Sequence, residues 1–354
     1  MQLMRVVLLI SAESLDCFIV ACTYQAPTRN YVHIKGKTRM KKSIIAIAVS
    51  SAALASVSVH AAEGSTVDVY GNIQYALTDK DAGSDAGSEF ADNGSTFGFK
   101  GETLINDDLT AFFKYELEAD ADEKSGDVSV GLDQAFVGLK GGFGKVQVGT
   151  FDSIYNNAIQ DSVDQFENLS FTNATTTEEG DTIAFFSPSM NGFEVQLSTQ
   201  VTGDGETIPT AGADDLQTED GSSVTGVVKY STGALTVALG YDQNGNYTDV
   251  EETVGLSASY ELQSNLNVTA KFETTSDAQD VVGLAARYGY GAGDIYASVQ
   301  SISPDAGDDF NEYGAGVTYS LASNVYVYGE VGSFENASNS DTDTKTAVGV
   351  YYGF

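Results

Sequence analysis

Tryptophan is absent from the 354 residues, and cysteine and histidine are nearly so, with two of each. Positive charge is scarce: 17 Lys and Arg stand against 50 Asp and Glu, a formal net charge of −33. Phosphate binding needs clustered Lys and Arg, so nucleic acid is excluded as a partner. The position of the rare residues matters more than their number. Cys17, Cys22, His33 and His60 all precede residue 62, in a stretch that reads as a leader.

Met40-Lys41-Lys42 gives that leader a positive start. Ile44 to Val59 is its apolar run, and Val59-His60-Ala61 is a small-x-small cleavage site that leaves Ala62-Glu63 in front. The run is too short and too rich in Ser and Ala for a good spanning helix, and a signal anchor that stays attached is the alternative. Residues 1–39 make poor sense ahead of a signal peptide. We expect them to be a start-site artefact with Met40 as the true start, or else an unusually long leader. The expected division is therefore 1–39 leader extension, 40–61 signal peptide and 62–354 mature domain.

Residues 62–354 retain 10 basic and 48 acidic residues, a net of −38, and neither Cys nor His. Disulfides, thiolate metal sites and a Cys nucleophile are then unavailable. So are a Ser-His triad and imidazole ligands. The expectation is a protein that is not an enzyme and holds no cofactor and no metal.

Long hydrophobic runs are the last thing lacking. After residue 61 no stretch is continuously apolar for the length of a helical span. The chain alternates instead. Leu109, Ala111, Phe113, Tyr115 and Leu117 share one face, with Thr110, Lys114, Glu116 and Glu118 on the other. The same period of two runs through Phe193–Ser198, Leu266–Glu273 and Val282–Gly289. About sixteen such segments follow one another, the first near Thr66 and the last near Thr342. Many have the length a tilted strand needs to cross a bilayer.

Short connections with turn chemistry, such as Asn106-Asp107-Asp108 and Lys140-Gly141-Gly142, alternate with longer acidic ones. The longer ones are 79–94, 119–128, 151–180, 202–221, 242–250, 302–309 and 335–343. Loops sorted by length to two ends predict an all-β, transmembrane antiparallel β-barrel, with short periplasmic turns and long external loops. Closure satisfies every backbone hydrogen bond and leaves no edge, with apolar side chains toward lipid and polar ones toward a wet lumen.

Several motifs are similar to the general, non-specific porins of Gram-negative bacteria. Thr66-Val-Asp-Val-Tyr-Gly71 resembles their first strand and Ser95-Thr-Phe-Gly-Phe-Lys-Gly-Glu102 their second. Gln134-Ala-Phe-Val-Gly-Leu-Lys-Gly-Gly-Phe-Gly144, running on to Val148-Gly149, is the closest match. Ser187-Pro188 with Asn191-Gly192-Phe193 resembles the turn after their long third loop. The resemblance covers essentially all of 62–354. It implies a sixteen-stranded homotrimer in the cell outer membrane. Each barrel would carry a third loop folded inward, and small hydrophilic solutes and ions would diffuse through it passively.

On that resemblance the third loop brings Asp152, Asp161, Asp164 and Glu167 to a constriction. The positions matching the usual basic wall hold Asn72, Thr96 and Thr150, and Glu178-Glu179 stands where a base is common. Lys100, Lys114, Lys271 and Arg287 also fall on lumen-facing phases. The transverse field keeps its negative side and loses much of its positive one, so cation selectivity is expected. Ordinary solvated loop charge is the plainer account of the same acids.

The other acidic loops read as solubilising surface, or as divalent-cation bridges to lipopolysaccharide phosphates, since hard cations prefer oxygen ligands. Asp107-Asp108 and Glu251-Glu252 point to opposite faces of a strand and make poor acid–base pairs. Phe354 and Tyr352 share a lipid-facing row with Val350 and Val348. They also resemble the signal read by the barrel-assembly machinery. The competing function is a non-channel adhesin or structural β-barrel.

Overall fold

The computed structural model describes residues 65–81, 86–122, 130–177, 179–203, 221–247, 250–335 and 342–354. The leader and signal-peptide assignments, and Glu178, lie outside them. Among the described residues no helix is long and apolar enough to cross a membrane.

Sixteen antiparallel strands form one closed sheet. They are β1 Ser65–Lys80; β2, in two segments, Gly87–Asp92 and Thr96–Asn106; β3 Leu109–Ala119; β4 Val130–Gly141; and β5 Gly144–Thr150. After the third loop come β6 Thr182–Phe186, β7 Phe193–Gly203, β8 Gly221–Thr232, β9 Leu235–Asp242, β10 Thr253–Gln263 and β11 Leu266–Thr275. The remainder are β12 Gln279–Gly289, β13 Asp294–Pro304, β14 Phe310–Ala322, β15 Val325–Glu335 and β16 Thr342–Gly353. Each strand pairs with the next. β1 then pairs with β16, from Asn72 opposite Gly353 to Lys80 opposite Lys345. The Phe354 amide donates to the Gly71 carbonyl at 2.9 Å and the Gly71 amide donates back at 3.1 Å, so no edge is left open at the seam.

The period of two is realised as inside and outside. Val282, Leu284 and Tyr288 on β12 are exposed on the outer face, where lipid would cover them, while Val281 and Ala285 on the alternate phase are buried. On β11 Phe272 faces out, and Thr269, Lys271 and Glu273 are buried within. Phe143, Phe193, Tyr260, Tyr288, Tyr319 and Tyr352 are exposed and fall at or beside the short turns. This is the position of an interfacial aromatic belt.

Two-residue turns such as Asp107-Asp108, Gly233-Ala234 and Ser264-Asn265 close one end. The other end carries most of the long connections. One expectation fails there: 79–94 is not all loop. β1 runs on to Lys80 and pairs there with Gly87–Asp92, and Phe90 stacks on Tyr75 at 5.4 Å. Three irregular residues, 93–95, then interrupt β2. The Asp92 carboxylate caps them, accepting from the amides of Gly94 at 3.1 Å and Ser95 at 2.9 Å.

The buried core is not between layers but inside the barrel, where the third loop meets the wall. Ile154, Tyr155, Ala158 and Ile159 pack on Val227 and Ala238. Leu169 and Phe171 pack on Phe334, and Ala174 packs on Val281 and Ile302. Burying a side chain such as Ile159, fully enclosed here, is worth about 1.5–3 kcal/mol.

Candidate pore constriction and lumen wall

The third loop leaves β5 at Phe151 and opens with a single helical turn, α1, Ile154–Ala158. The Ser153 hydroxyl caps it, accepting from the amides of Tyr155 at 3.2 Å and Asn156 at 3.5 Å. The loop then runs along the inner faces of β8 to β15. Ser257 on β10 donates its hydroxyl to the Ala158 carbonyl at 2.7 Å, and Ser298 on β13 to that of Val163 at 2.6 Å. Gln279 Nε2 donates to the Asn173 carbonyl at 2.7 Å.

Two wall carboxylates hold the far half. Glu330 on β15 accepts from the amides of Glu167 at 2.7 Å, Asn168 at 3.0 Å and Leu169 at 3.2 Å, and from the Tyr296 hydroxyl at 2.7 Å. Glu312 on β14 accepts from the amide of Thr172 at 2.8 Å and its hydroxyl at 2.6 Å. Bonds to an ionised acceptor are the stronger kind, so these two residues act as latches. The loop also reaches across to β2. Asn93, in the strand's break, donates to the Glu167 carbonyl at 2.8 Å and accepts from Asn168 at 2.6 Å.

Glycines give the loop its seat. A Cβ added at Gly240 would lie 2.7 Å from the Tyr155 ring, at Gly283 2.9 Å from Val163, and at Gly314 2.5 Å from the Phe166 ring. A larger residue at these wall positions would require the side chain of Tyr155, Val163 or Phe166 to shift.

The acids expected at a constriction separate. Asp161 is exposed, accepting from Asn156 at 3.1 Å. Asp164 and Glu167 are half-buried. Asp164 accepts from the Phe166 amide at 3.2 Å, and Glu167 from the Tyr326 hydroxyl at 2.8 Å. Partial desolvation inside the barrel raises all three carboxyls above their ordinary range, that of Asp164 to about 6, and reaches Asp161 although its side chain is exposed to the lumen. Asp152 stands apart at the loop's root, accepting from Gln134 of β4 at 2.7 Å.

On the wall across from the loop, Asn72 donates to the Thr96 hydroxyl at 2.8 Å, and Gln74 donates to Asn72 at 3.0 Å. Lys100 and Lys114 follow on the same inner faces. Lys114 is ion-paired with Glu116 at 2.9 Å.

Two wall assignments are corrected. Thr150 still belongs to β5, paired with Ala135, and so keeps the phase of outward-facing Val148. Arg287 does face the lumen, but on the loop's own side. It donates to the Gln165 carbonyl at 3.3 Å, pairs with Asp294 at 3.1 Å and lies over the Tyr296 ring. Lys271 keeps the inward phase expected of it and is buried beneath the loop, held by Glu273 at 2.8 Å and Asn173 at 2.8 Å. The physical reason is shared by Arg287 and Lys271. Strand phase reports that a side chain points inward, but the loop's path decides whether it meets water or backbone.

The family model of Gram-negative porins matches residues 43–339. The chain belongs to that family. Relatives of this porin include a "Monosaccharide porin" of Halomonas sp and the "Major outer membrane protein" of Halomonas elongata. Each is 32% identical over 89% of this chain and all of the relative. The fold is similar to the anion-selective porin of Comamonas acidovorans, at 16% identity, with a TM-score of 0.65 over 82% of this chain and all of that one. It is equally similar to Salmonella typhi OmpF solved with daunomycin, at 21% identity and a TM-score of 0.65, covering 82% of this chain and 98% of that one. Family and fold point to an outer-membrane channel rather than an enzyme.

The porin's latches, Glu312 and Glu330, and the bridging Asn93 were missed by sequence reasoning. Glu330 lies in Val325-Tyr-Val-Tyr-Gly-Glu330, on the inward phase of an otherwise aromatic and apolar strand. An acid there, facing no base in register, was the available signal.

Proposed function

We propose that this porin is a water-filled channel for passive diffusion of small hydrophilic solutes and ions, with a preference for cations. The observation that carries the reading is a loop docked inside a closed barrel, narrowing the lumen from one side while its acids remain at the loop surface. Arg287 and Lys271, which would oppose those acids from behind, are engaged by backbone and carboxylate partners. Asn72 and Thr96 across the lumen carry no charge. A narrow pore between low-dielectric walls concentrates the field of its lining groups, so the local balance outweighs distant loop charge.

Neutral sugars are among the solutes proposed, since the Halomonas relative is named for monosaccharides. The porin works as a homotrimer, inserted by the barrel-assembly machinery and surrounded by lipopolysaccharide, whose phosphates divalent cations bridge to the acidic outer loops. A cleaved leader, 40–61, exports it.

The test is the reversal potential of the reconstituted porin across a bilayer in a KCl gradient, beside sugar permeation into liposomes. Cation preference is expected. Replacing Asp161 and Asp164 by Asn and Glu167 by Gln together should reduce it sharply. Anion preference in the unmodified pore, or no response to the triple change, rejects this placement of the selectivity while the channel stands. Absence of both conductance and sugar entry rejects the channel.

A further inference from the structure

Ten basic residues serve residues 62–354, and they are not scattered. Lys100, Lys114, Lys140 and Lys145 line one cavity of about 430 Å3 on the inner faces of β1 to β5, at the short-turn end. Asp68, Glu102, Phe112 and Phe136 complete it. A second cavity of about 380 Å3 shares Phe136 and Lys145 and reaches the root of the third loop, adding Lys229. Half of the scarce positive charge therefore faces one stretch of lumen.

Carboxylates offset only part of it. Lys140 pairs with Glu102 and Lys114 with Glu116. Among the described residues, no ion pair within 4 Å involves Lys145 or Lys100. Aromatic faces support them instead. The Lys145 ammonium lies 3.8 Å from the centre of the Phe186 ring and 5.9 Å from that of Phe112, and Lys100 lies 4.8 Å from the Tyr70 ring. Phe112 and Phe136 stand edge to face, 6.2 Å apart. Phe112 is thus an aromatic face turned to the lumen of a strand whose other aromatics, Phe113 and Tyr115, are exposed outside.

We propose that this pocket is a binding site for small organic anions that carry a flat apolar face, with aromatic carboxylates as the fitting class. Lys145 and Lys100 supply the charge, and Phe112 and Phe136 supply the surface. The volume lies within the ~300–1,000 Å3 range of small-molecule sites. An ammonium without a carboxylate partner gains more from an incoming anion than one already paired. The site lies at the opposite end of the lumen from the outer mouth, past the third loop. It therefore goes beyond the diffusion channel and does not depend on which ion that channel prefers.

The experiment reads binding whether or not the channel conducts. Detergent-solubilised porin is titrated with para-fluorobenzoate, para-fluorobenzyl alcohol and trifluoroacetate, followed by fluorine NMR. The benzoate should bind at low salt, and the alcohol and the acetate much more weakly. Lys145→Gln should weaken benzoate roughly tenfold, the scale of one charge-assisted hydrogen bond. Phe112→Leu should weaken it less, and Lys145→Arg should retain it. Lys345→Gln is the control. It removes a lysine that also sits over a ring, that of Phe334 at 4.4 Å, but outside the cavity, and it should change nothing. Equal binding of alcohol and benzoate overturns the proposal. So does an unchanged affinity in Lys145→Gln, or an equal loss in Lys345→Gln.

Discussion

Asp164 shows how the loop sets its own charge. Burial pushes its carboxyl up to about 6, although the amides of Phe166 and Phe171 work against that shift. Partial desolvation raises half-buried Glu167 and, despite its exposure, Asp161 as well. A raised carboxyl keeps its proton to higher pH than a free one. Its negative charge is complete only above the raised value, and the protonated, docked loop gains stability as pH falls through it. Cation preference should therefore decline between about pH 7.5 and about pH 5, steepest near 6. Reversal potentials at fixed KCl gradient check this, and a flat profile would show that these carboxyls do not govern selectivity. That the third loop turns inward and carries acids was legible in the sequence. Their partners were not. That Tyr326 meets Glu167, or Glu330 the amides of 167–169, follows from where a 31-residue excursion between β5 and β6 happens to lie, and no local pattern encodes it.

Strands were the most legible elements, because a barrel wall separates two solvents and each residue must choose one. Leu197 is exposed on the outer face, while Gln196 lines a lumen cavity. Leu197→Arg should cost roughly 2–4 kcal/mol on membrane insertion, falling off toward the interfaces. Gln196→Arg should fold normally. Equal loss in urea unfolding from liposomes would mean that β7 is out of phase. The register slips between Glu116 and Leu117, where Asp133 of β4 bulges from the pairing. The extra residue lies in β4, so Leu109 to Leu117 on β3 keep their assigned faces, with Phe113 and Tyr115 exposed outside and Glu116 buried. Alternation failed instead at the first segment of β2: Gly, Ser, Glu and Asp around Phe90 read as loop, and only cross-strand pairing makes them strand.

Closure is a property of the whole molecule. The seam between β1 and β16 ends in the Gly71–Phe354 backbone pair, and an added Cβ at Gly71 would lie 2.8 Å from the Phe354 ring. Phe354→Ala preserves the backbone pair and removes only the ring. If the ring is an insertion signal, this change should lower assembly in cells while leaving thermal stability in detergent nearly unchanged. Comparable losses in both would make it a packing residue. Barrel, strand number and loop sorting were readable from sequence because each repeats many times along the chain.

The bore of such a channel is usually sought in the residues that border it. Here the aperture is tuned from behind. Side chains of the loop lie against the bare backbone of Gly240, Gly283 and Gly314, so wall positions that never touch the permeating solute bear on how far the loop intrudes. Gly314→Ala should lift Phe166 toward the axis and reduce single-channel conductance, with every loop residue and every lumen charge unchanged. Related channels can thus differ in calibre through a methyl group hidden under a loop, a variable that inspection of pore-lining residues alone does not register.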